Sequence, residues 1–232
     1  MTDLDRRISE LAQWLLASQY PVVFTGAGIS TESGLRDFRG PDGLWTRRDK
    51  GLPTPEQNWT NVEPNAGHMA ILELQRLGKL AFLISQNVDN LHLKSGIRPE
   101  LLAELHGNLT KVRCVSCDFK MDRVEGEREC PLCGGKLVST VVNFGDSLPA
   151  KDLAESYEHA ERCDLFLVAG SSLVVYPAAE MPRVALQAGA KLVIINQGET
   201  PYDAHAHLLF SEGISNVLPT AVAKLKSLMK RG

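Results

Sequence analysis

The sequence predicts an α/β fold in which helices flank a parallel sheet and a smaller zinc-ribbon module is inserted. Two observations predict it. Short apolar runs alternate along the chain with segments whose apolar residues recur at helical spacing. Between residues 114 and 133 this alternation is interrupted by two C-x2-C pairs, a pattern typical of a tetrahedral zinc site. A chain of 232 residues is long enough for one large domain and one small module.

The individual strands and helices follow from these patterns. The apolar runs are predicted to be strands because parallel strands are buried on both faces. They lie at residues 22–24, 81–84, 138–142, 165–168 and 192–195, with a short sixth strand near 207–210. Helical periodicity predicts helices at residues 3–18, 66–77, 178–188 and 215–229. Residues 37–64 are rich in Pro, Gly and Trp and have little periodicity, so we expect a mobile loop segment there.

Composition and charge exclude several classes of protein. The net charge is −3, which argues against nonspecific nucleic-acid binding as the main activity. No apolar run approaches the ~20 residues of a membrane span. The first residues are polar and are followed by apolar residues at helical spacing, so no signal peptide is predicted. We therefore expect a cytoplasmic monomer with no membrane partner and no specific nucleic-acid partner.

Four of the five cysteines form the zinc pattern. Cys114 and Cys117 make the first pair, and Cys130 and Cys133 make the second. Four thiolates fill a tetrahedral coordination sphere, so we expect one structural Zn²⁺ with no open position for water or substrate. The alternatives are two disulfides or unrelated thiols, but nothing else in the sequence indicates an oxidising compartment. Cys163 is expected to be a small buried hydrophobic residue.

A glycine-rich turn follows the first predicted strand. Gly26, Gly28 and Gly34 are spaced G-x-G-x5-G directly after residues 22–24. Glycines let the backbone turn tightly and approach a phosphate, and free N–H groups at the start of the next helix favour an anion. The usual dinucleotide fingerprint, G-x-G-x-x-G, would need a glycine at Thr31. The turn is therefore interpreted as a dinucleotide site that lacks the usual spacing.

Three stretches carry a resemblance to a known family. They are residues 26–40 (GAGISTESGLRDFRG), 86–92 (QNVDNLH) and 105–108 (LHGN). In this order they resemble the sirtuins, the NAD-dependent protein lysine deacylases, and the match extends from about Ile8 to the C-terminus. Residues 37–45 are most similar to the class IV branch, whereas residues 170–178 are more similar to class U members of bacteria and archaea. Both subclasses remain open.

The resemblance implies a division of the chain. A Rossmann-like domain that binds NAD is expected to comprise residues 1–36, 65–110 and 138–232. A cofactor-binding loop is expected at residues 37–64, and a structural zinc module at residues 111–137. In this family the cofactor and the substrate meet in the cleft between the large and the small domain.

The resemblance also implies a reaction. Sirtuins transfer the acyl group of an acyl-lysine to ADP-ribose and release nicotinamide, O-acyl-ADP-ribose and free lysine. His106 is similar to the catalytic base of the family, and an ordinary histidine pKa of about 6.5 suits proton removal near neutral pH. A purely structural histidine is the alternative. Two other functions stay open at this point, mono-ADP-ribosyl transfer to protein and noncatalytic sensing of NAD or ADP-ribose.

The nicotinamide and phosphate contacts are likewise implied by the resemblance. Asn87 and Asp89 are expected in the nicotinamide pocket, although Asp89 is also placed to cap a helix. Gln86 is expected at the ribose, Phe38 beside the reacting carbon and Arg39 at the pyrophosphate. The alternative for Phe38 and Arg39 is an ordinary turn. The remaining expected NAD contacts, with His106, are Gly26, Ala27, Gly28, Thr31, Asp37, Val88, Gly170, Ser171, Ser172, Asn196 and Ile214.

Two segments resemble the strands that hold an extended acyl-lysine peptide in sirtuins. Such β-augmentation relies on backbone hydrogen bonds, so it tolerates many peptide sequences. Residues 38–68 contain no Tyr-x-x-Arg pair, the feature of desuccinylating sirtuins, and weak activity on succinyl-lysine is therefore expected. The expected substrate contacts are Val142, Asn143, Phe144, Gly145, Val174 and Tyr176.

Overall fold

The computed structural model describes residues 2–54, 56–57, 59 and 61–230. The strands of this part of the chain form one large and one small sheet. In chain order they are β1 (Pro21–Thr25), β2 (Phe82–Ser85), β3 (Leu102–Glu104), β4 (Lys111–Cys114), β5 (Lys120–Asp122), β6 (Leu137–Ser139), β7 (Leu165–Ala169), β8 (Lys191–Ile195) and β9 (Leu208–Phe210).

The helices of the described residues alternate with the strands of the large sheet. They are α1 (Asp3–Ala17), α2 (Leu44–Asp49), α3 (Ala66–Arg76), α4 (Leu91–Ser95), α5 (Ala150–Arg162), α6 (Met181–Gln187) and α7 (Ile214–Met229). Short 3-10 turns add Ala27–Ser33, Pro99–Leu101, Ala178–Glu180 and Asp203–His205. Among the described residues, no helix combines the length and the apolar character needed to cross a bilayer.

The large sheet has six strands in the order β3-β2-β1-β7-β8-β9, all parallel. Its strands are apolar on both faces because each face carries its own core. One core joins Val23 and Val193 to α1, α3 and α7, and the other joins Phe24 and Phe166 to α5 and α6. The molecule is therefore a three-layer α/β structure, as the alternating pattern predicts.

The small sheet is antiparallel, with the order β5-β4-β6. The two cysteine pairs lie in and beside this sheet. Its hydrophobic core contains two of the four cysteines, Cys114 and Cys130, together with Val112 and Leu137. We refer to residues 111–139 as the zinc module. β6 extends to Ser139, two residues past the boundary expected from the sequence. The division of the chain into domains otherwise stays a prediction.

The prediction of a parallel strand at residues 138–142 is wrong. β6 ends at Ser139 and pairs antiparallel with β4, with Val138 opposite Arg113. Of its three residues only Leu137 is buried, while Val138 is half-buried and Ser139 is exposed, whereas a central parallel strand is buried along its length on both faces. The sixth strand of the parallel sheet is instead β3, which is three residues long and too short to produce a recognisable apolar run.

Helix α5 was not predicted from the sequence. It runs from Ala150 to Arg162 and buries Asp152, Ser156 and Ala160 rather than large apolar side chains. Leu153 and Tyr157 also pack against the core, so the helix is amphipathic, but the segment is polar overall and its few apolar residues are easily overlooked in the sequence. The other long helices and the strands β1, β2, β7, β8 and β9 lie within a few residues of their predicted bounds, whereas β4 and β5 of the zinc module were not predicted.

Candidate functional site

A cleft of about 1100 Å³ lies at the carboxyl ends of the parallel strands. In the sheet β1 has β2 on one side and β7 on the other. The connection from β1 to β2 therefore runs to one side of the sheet, and the connection from β7 to β8 runs to the other. Open α/β sheets bind ligands at such a switch point. Every residue predicted to contact the cofactor or the substrate peptide lines this single cleft. Their individual contacts to ligands stay predictions.

The glycines at the ends of β1 and β7 are needed for a close backbone approach. The Gly28 amide donates a hydrogen bond to the Gly170 carbonyl at 2.8 Å. A Cβ atom on Gly28 would lie 2.8 Å from the Gly170 Cα, and Gly170 itself has a φ of +71°. A side chain at either position would therefore separate the two turns or strain the backbone. The unusual glycine spacing thus reflects packing between two strand ends.

Asp89 is held by hydrogen bonds from both sides. Its Oδ2 accepts from the Ser30 hydroxyl at 2.6 Å, and its Oδ1 accepts from the Leu91 amide at 2.9 Å. The second bond satisfies an N–H group in the first turn of α4, although the N-cap residue of this helix is Asn90 and not Asp89. The role of Asp89 in the nicotinamide pocket stays a prediction. Burial raises the pKa of Asp89, and these hydrogen bonds partly offset that effect because they stabilise the carboxylate.

Ser30 also receives a hydrogen bond from the Asn87 side-chain amide at 3.2 Å. It thereby links the two residues expected in the nicotinamide pocket. Ser30 was given no role from the sequence, although it lies inside the glycine-rich stretch. Its only sequence signal is a small hydroxyl residue directly after the phosphate-type turn.

His106 lies at the end of β3 and lines the cleft. Its Nδ1 is 2.9 Å from the carbonyl oxygen of Gln86, which can only accept a hydrogen bond. The proton of the neutral ring is therefore on Nδ1, and Nε2 carries the free electron pair. Burial lowers the pKa of His106, while the Gln86 carbonyl raises it in part. The ring is consequently neutral near pH 7 and able to accept a proton.

A chain of buried hydrogen bonds joins the segment of Asn87 to β1 and α4. The Asn87 amide donates to the Ser85 hydroxyl, and Ser85 also accepts from the Thr25 hydroxyl at 3.0 Å. Since the Thr25 proton is used there, Thr25 accepts from His92 Nε2 at 2.9 Å. This bond fixes the tautomer of His92, with the proton on Nε2.

His68 packs against His92, with the ring centroids 5.0 Å apart. His68 Nδ1 accepts from the Asn65 amide, so its proton lies on Nε2. Among the described residues, His68 Nε2 and His92 Nδ1 have no hydrogen-bond partner. One is a donor and the other an acceptor, so the two unpartnered atoms are complementary. Burial lowers the pKa of His68 to about 4 and the pKa of His92 well below 6.5, which keeps both rings neutral.

An aromatic cluster joins the expected cofactor loop to the expected peptide segment. Phe38 and Trp45 have ring centroids 5.4 Å apart, and Trp45 lies 5.3 Å from Phe144. The Arg39 guanidinium stacks 4.3 Å above the Trp45 ring. Trp45 was not predicted as a site residue. Its place between the two segments depends on tertiary packing and has no local signal beyond the residue type.

The other end of the cleft carries the residues expected at the ribose and adenine. Gln86 donates to the Ser171 hydroxyl at 2.8 Å, which joins the ends of β2 and β7. The Asn196 side chain donates to the Gly198 carbonyl at 2.7 Å. Ile214 begins α7 and is buried. Two carboxylates that were not predicted, Glu199 and Glu212, also line this end.

The expected peptide segments lie at the open side of the cleft. Phe144 is 80% exposed and Tyr176 is 64% exposed, so both are available to a ligand. The Val142 amide donates to the His106 carbonyl at 3.0 Å, which fixes this segment beside His106. Asn143 is held by two hydrogen bonds to the Asp146 carboxylate.

The four predicted metal ligands converge in the zinc module. The Sγ atoms of Cys114, Cys117, Cys130 and Cys133 all lie within 4.8 Å of one another. Neighbouring Sγ atoms are 3.3 to 3.7 Å apart. A disulfide needs about 2.05 Å, whereas zinc–sulfur bonds of about 2.3 Å in a tetrahedron place the sulfurs roughly 3.8 Å apart. The cluster therefore fits a structural Zn²⁺ and not two disulfides.

Comparison with known proteins agrees with this geometry. The model of the Sir2 family matches residues 26–61 and 53–177. The NAD-dependent protein deacetylase SRT1 of Arabidopsis thaliana is 41% identical over 96% of this chain, which spans 50% of the plant protein. The NAD-dependent protein deacetylase 1 of Pyrobaculum aerophilum is 39% identical, with 96% of each chain aligned.

A solved structure shows the same fold. Sir2Af2, bound to a myristoylated histone peptide, superposes with a TM-score of 0.74 at 37% identity and covers 98% of this chain and 100% of its own. The family match and the identity to these relatives thus show that the chain belongs to the Sir2 family, the sirtuins.

Proposed function

We propose that this chain is an NAD-dependent protein lysine deacylase that releases nicotinamide, O-acyl-ADP-ribose and the free lysine. One observation carries the proposal. His106 presents an unprotonated Nε2 in the same cleft as the half-buried carboxylate of Asp89 and the exposed aromatic residues of the peptide segment. The relatives named as NAD-dependent protein deacetylases support it.

The donor set of the cleft fits NAD. The Asp89 carboxylate and the Asn87 amide suit the carboxamide of nicotinamide, and the hydroxyls of Ser171 and Ser172 suit ribose or phosphate. The buried Ile214 offers an apolar contact for adenine. When bound, NAD supplies the ADP-ribosyl group that accepts the acyl group.

The residues of the chain supply orientation and one base. His106 accepts a proton at Nε2, since Nδ1 is occupied by its bond to Gln86. Asp89, fixed by Ser30 and Leu91, orients the nicotinamide and so places the reacting centre within reach of the base. The Phe38 and Trp45 rings, which contact each other at an interplanar angle of 59°, give this end of the cleft an apolar surface that helps to exclude water.

The proposed substrates are acyl-lysine side chains of proteins. The two exposed segments that contain Phe144 and Tyr176 support an extended peptide bound between them through backbone hydrogen bonds. We further propose that the protein acts in the cytoplasm as a monomer. The net charge of −3 supports the absence of a nucleic-acid partner.

The proposal is tested with a panel of acyl-lysine peptides. Peptides that carry acetyl through myristoyl groups, and a succinyl peptide, are incubated with the protein with and without NAD and analysed by mass spectrometry. We expect NAD-dependent loss of the acyl group together with nicotinamide and acyl-ADP-ribose, and little reaction of the succinyl peptide.

A second measurement separates the alternatives. NAD labelled in the adenine ring should yield label in a small product. Label that remains on the protein would show mono-ADP-ribosyl transfer instead. Binding of NAD without turnover of any peptide and without labelled product would indicate a sensor and overturn the proposal.

A further inference from the structure

Asn108 is a buried side chain at the junction of three segments, and only 1% of its surface is exposed. Both hydrogens of its amide nitrogen are used, one to the Glu104 carboxylate at 2.5 Å and one to Asn90 Oδ1 at 2.8 Å. Its Oδ1 accepts from the backbone and the hydroxyl of Thr110. The orientation of the amide is fixed, because a carboxylate only accepts and a backbone N–H only donates.

One of these bonds reaches the expected nicotinamide loop. Asn90 has a φ of +66°, a left-handed conformation that is uncommon for a residue other than glycine. It directly follows Asp89 and precedes α4. The bond from Asn108 holds Asn90 in this conformation and so defines the position of Asp89. A backbone bond from Leu109 to the Val88 carbonyl, 2.9 Å long, reinforces the same contact.

The backbone of Asn108 is fixed to the base of the zinc module. Its amide donates to the Thr140 hydroxyl at 3.0 Å, and that hydroxyl donates to the Asn108 carbonyl at 2.8 Å. The preceding Gly107 has a φ of +77° and packs against the Thr140 carbonyl so closely that a Cβ atom would lie 1.9 Å from it. His106 therefore leads directly into a backbone segment that has no freedom to shift.

We propose that Asn108 is a positioning residue that aligns Asp89 with His106 and joins both to the base of the zinc module. Its carboxamide holds the loop of Asp89, while its backbone holds the segment that carries His106. Displacing either group from the other by about 1 Å is sufficient to lower turnover by about 10²-fold. The inference rests on the proposed deacylase function.

The test uses the zinc-loaded protein and exchanges the donor and the acceptor of the hydrogen bond between Asn108 and Glu104. Asn108→Asp keeps the shape of the side chain but places a carboxylate against Glu104. In the double variant Asn108→Asp with Glu104→Gln, the donor and the acceptor of this bond are reversed. The bond to Asn90 is also restored when the Asn90 side-chain amide turns over and donates to the new carboxylate. Glu104→Gln alone is the matched control, because glutamine still presents an oxygen to Asn108.

Deacylation, nicotinamide inhibition, ADP-ribose binding and zinc content are measured for each protein. For Asn108→Asp we expect kcat to fall about 10²-fold and the inhibition constant of nicotinamide to rise about tenfold, because Asp89 is displaced. ADP-ribose affinity and zinc content should stay at wild-type values. The double variant should recover most of the kcat, and Glu104→Gln alone should retain most of it.

A role in folding alone would give a different result. In that case nicotinamide inhibition would not change, or ADP-ribose binding and zinc would be lost together with turnover, and either result overturns the inference. Wild-type kcat in Asn108→Asp, or no recovery in the double variant, would also overturn it. If Asn108→Asp does not fold, Asn108→Ser removes the same amide donor and carries the same expectations. A wild-type protein without deacylase activity would refute the proposed function, and nicotinamide and ADP-ribose affinities would still test Asn108.

Discussion

At the scale of single residues, one hydrogen bond determines which nitrogen of His106 can act as a base. The carbonyl of Gln86 binds the Nδ1 proton and leaves Nε2 free. Burial lowers the pKa of the ring, so the ring stays unprotonated at neutral pH. The residue type and its motif were evident from the sequence, whereas the tautomer depends on the approach of β2 to β3.

Replacement of His106 by asparagine tests this role. The side-chain amide of asparagine can still donate to Gln86, but it has no basic nitrogen. We expect kcat to fall by about 10² to 10⁴-fold, with NAD affinity largely kept. For the wild type, kcat/KM should fall as the pH drops through the pKa of His106, with a midpoint below 6.5, because protonation removes the base. Near-normal turnover of the asparagine variant would exclude His106 as the base.

Ser30 and Asn108 show what residue-level motif reading misses. Both lie inside stretches that were singled out, yet neither received a role, because each acts on another protein residue. A motif indicates which positions are unusual, but it does not reveal which side chains form hydrogen bonds with one another. For Asp89 the structure bears on one of the two interpretations from the sequence. Its Oδ1 accepts from the first turn of α4, although the N-cap residue is Asn90, and its place in the nicotinamide pocket stays a prediction.

At the scale of elements, the zinc module depends on the metal more than on its core. That core contains Val112, Leu137 and two of the cysteines themselves, and it is partly covered by Phe119 and Met121. Such a small apolar cluster does not supply enough burial to fold without the metal. Zinc binding by the four thiolates is therefore expected to provide most of the stability of the module.

Replacement of Cys130 by serine should remove the metal and unfold the module. Activity should fall indirectly, because Thr140 and Asn108 join the module to the loop of His106. Cys163→Ala is the matched control, since Cys163 is buried in the large core and only donates to the Ala160 carbonyl. Loss of zinc is measured by mass spectrometry, and unfolding of the module is measured by thermal melting. Full zinc content and a normal melt of the Cys130 variant would disprove the four-cysteine site.

At the scale of the whole molecule, burial of His68 and His92 makes stability dependent on pH. In the unfolded chain a histidine takes up a proton near pH 6.5, but folded His68 stays neutral down to a pKa of about 4. Between these values the unfolded state binds more protons, so stability falls as the pH falls. His92 contributes in the same direction.

The variant His68→Gln isolates this effect. Glutamine removes the titrating group and keeps a donor that can reach His92. We expect the unfolding free energy of the wild type to drop by about 2 kcal/mol more than that of the variant between pH 7 and pH 5. Urea unfolding at the two pH values measures the difference. Equal drops would show that His68 is protonated in the folded state.

The sequence by itself determined the α/β class, the parallel sheet, the four zinc ligands and many of the residues that line the cleft. These depend on local patterns, namely apolar runs, cysteine spacing and short motifs. The tertiary structure alone decided the strand order, the transfer of residues 137–139 to the small sheet, and the contacts of Trp45 and Asn108. The physical reason is that strand pairing, tautomers and buried hydrogen bonds are set by groups far apart in the chain, and no local pattern encodes which of them will meet.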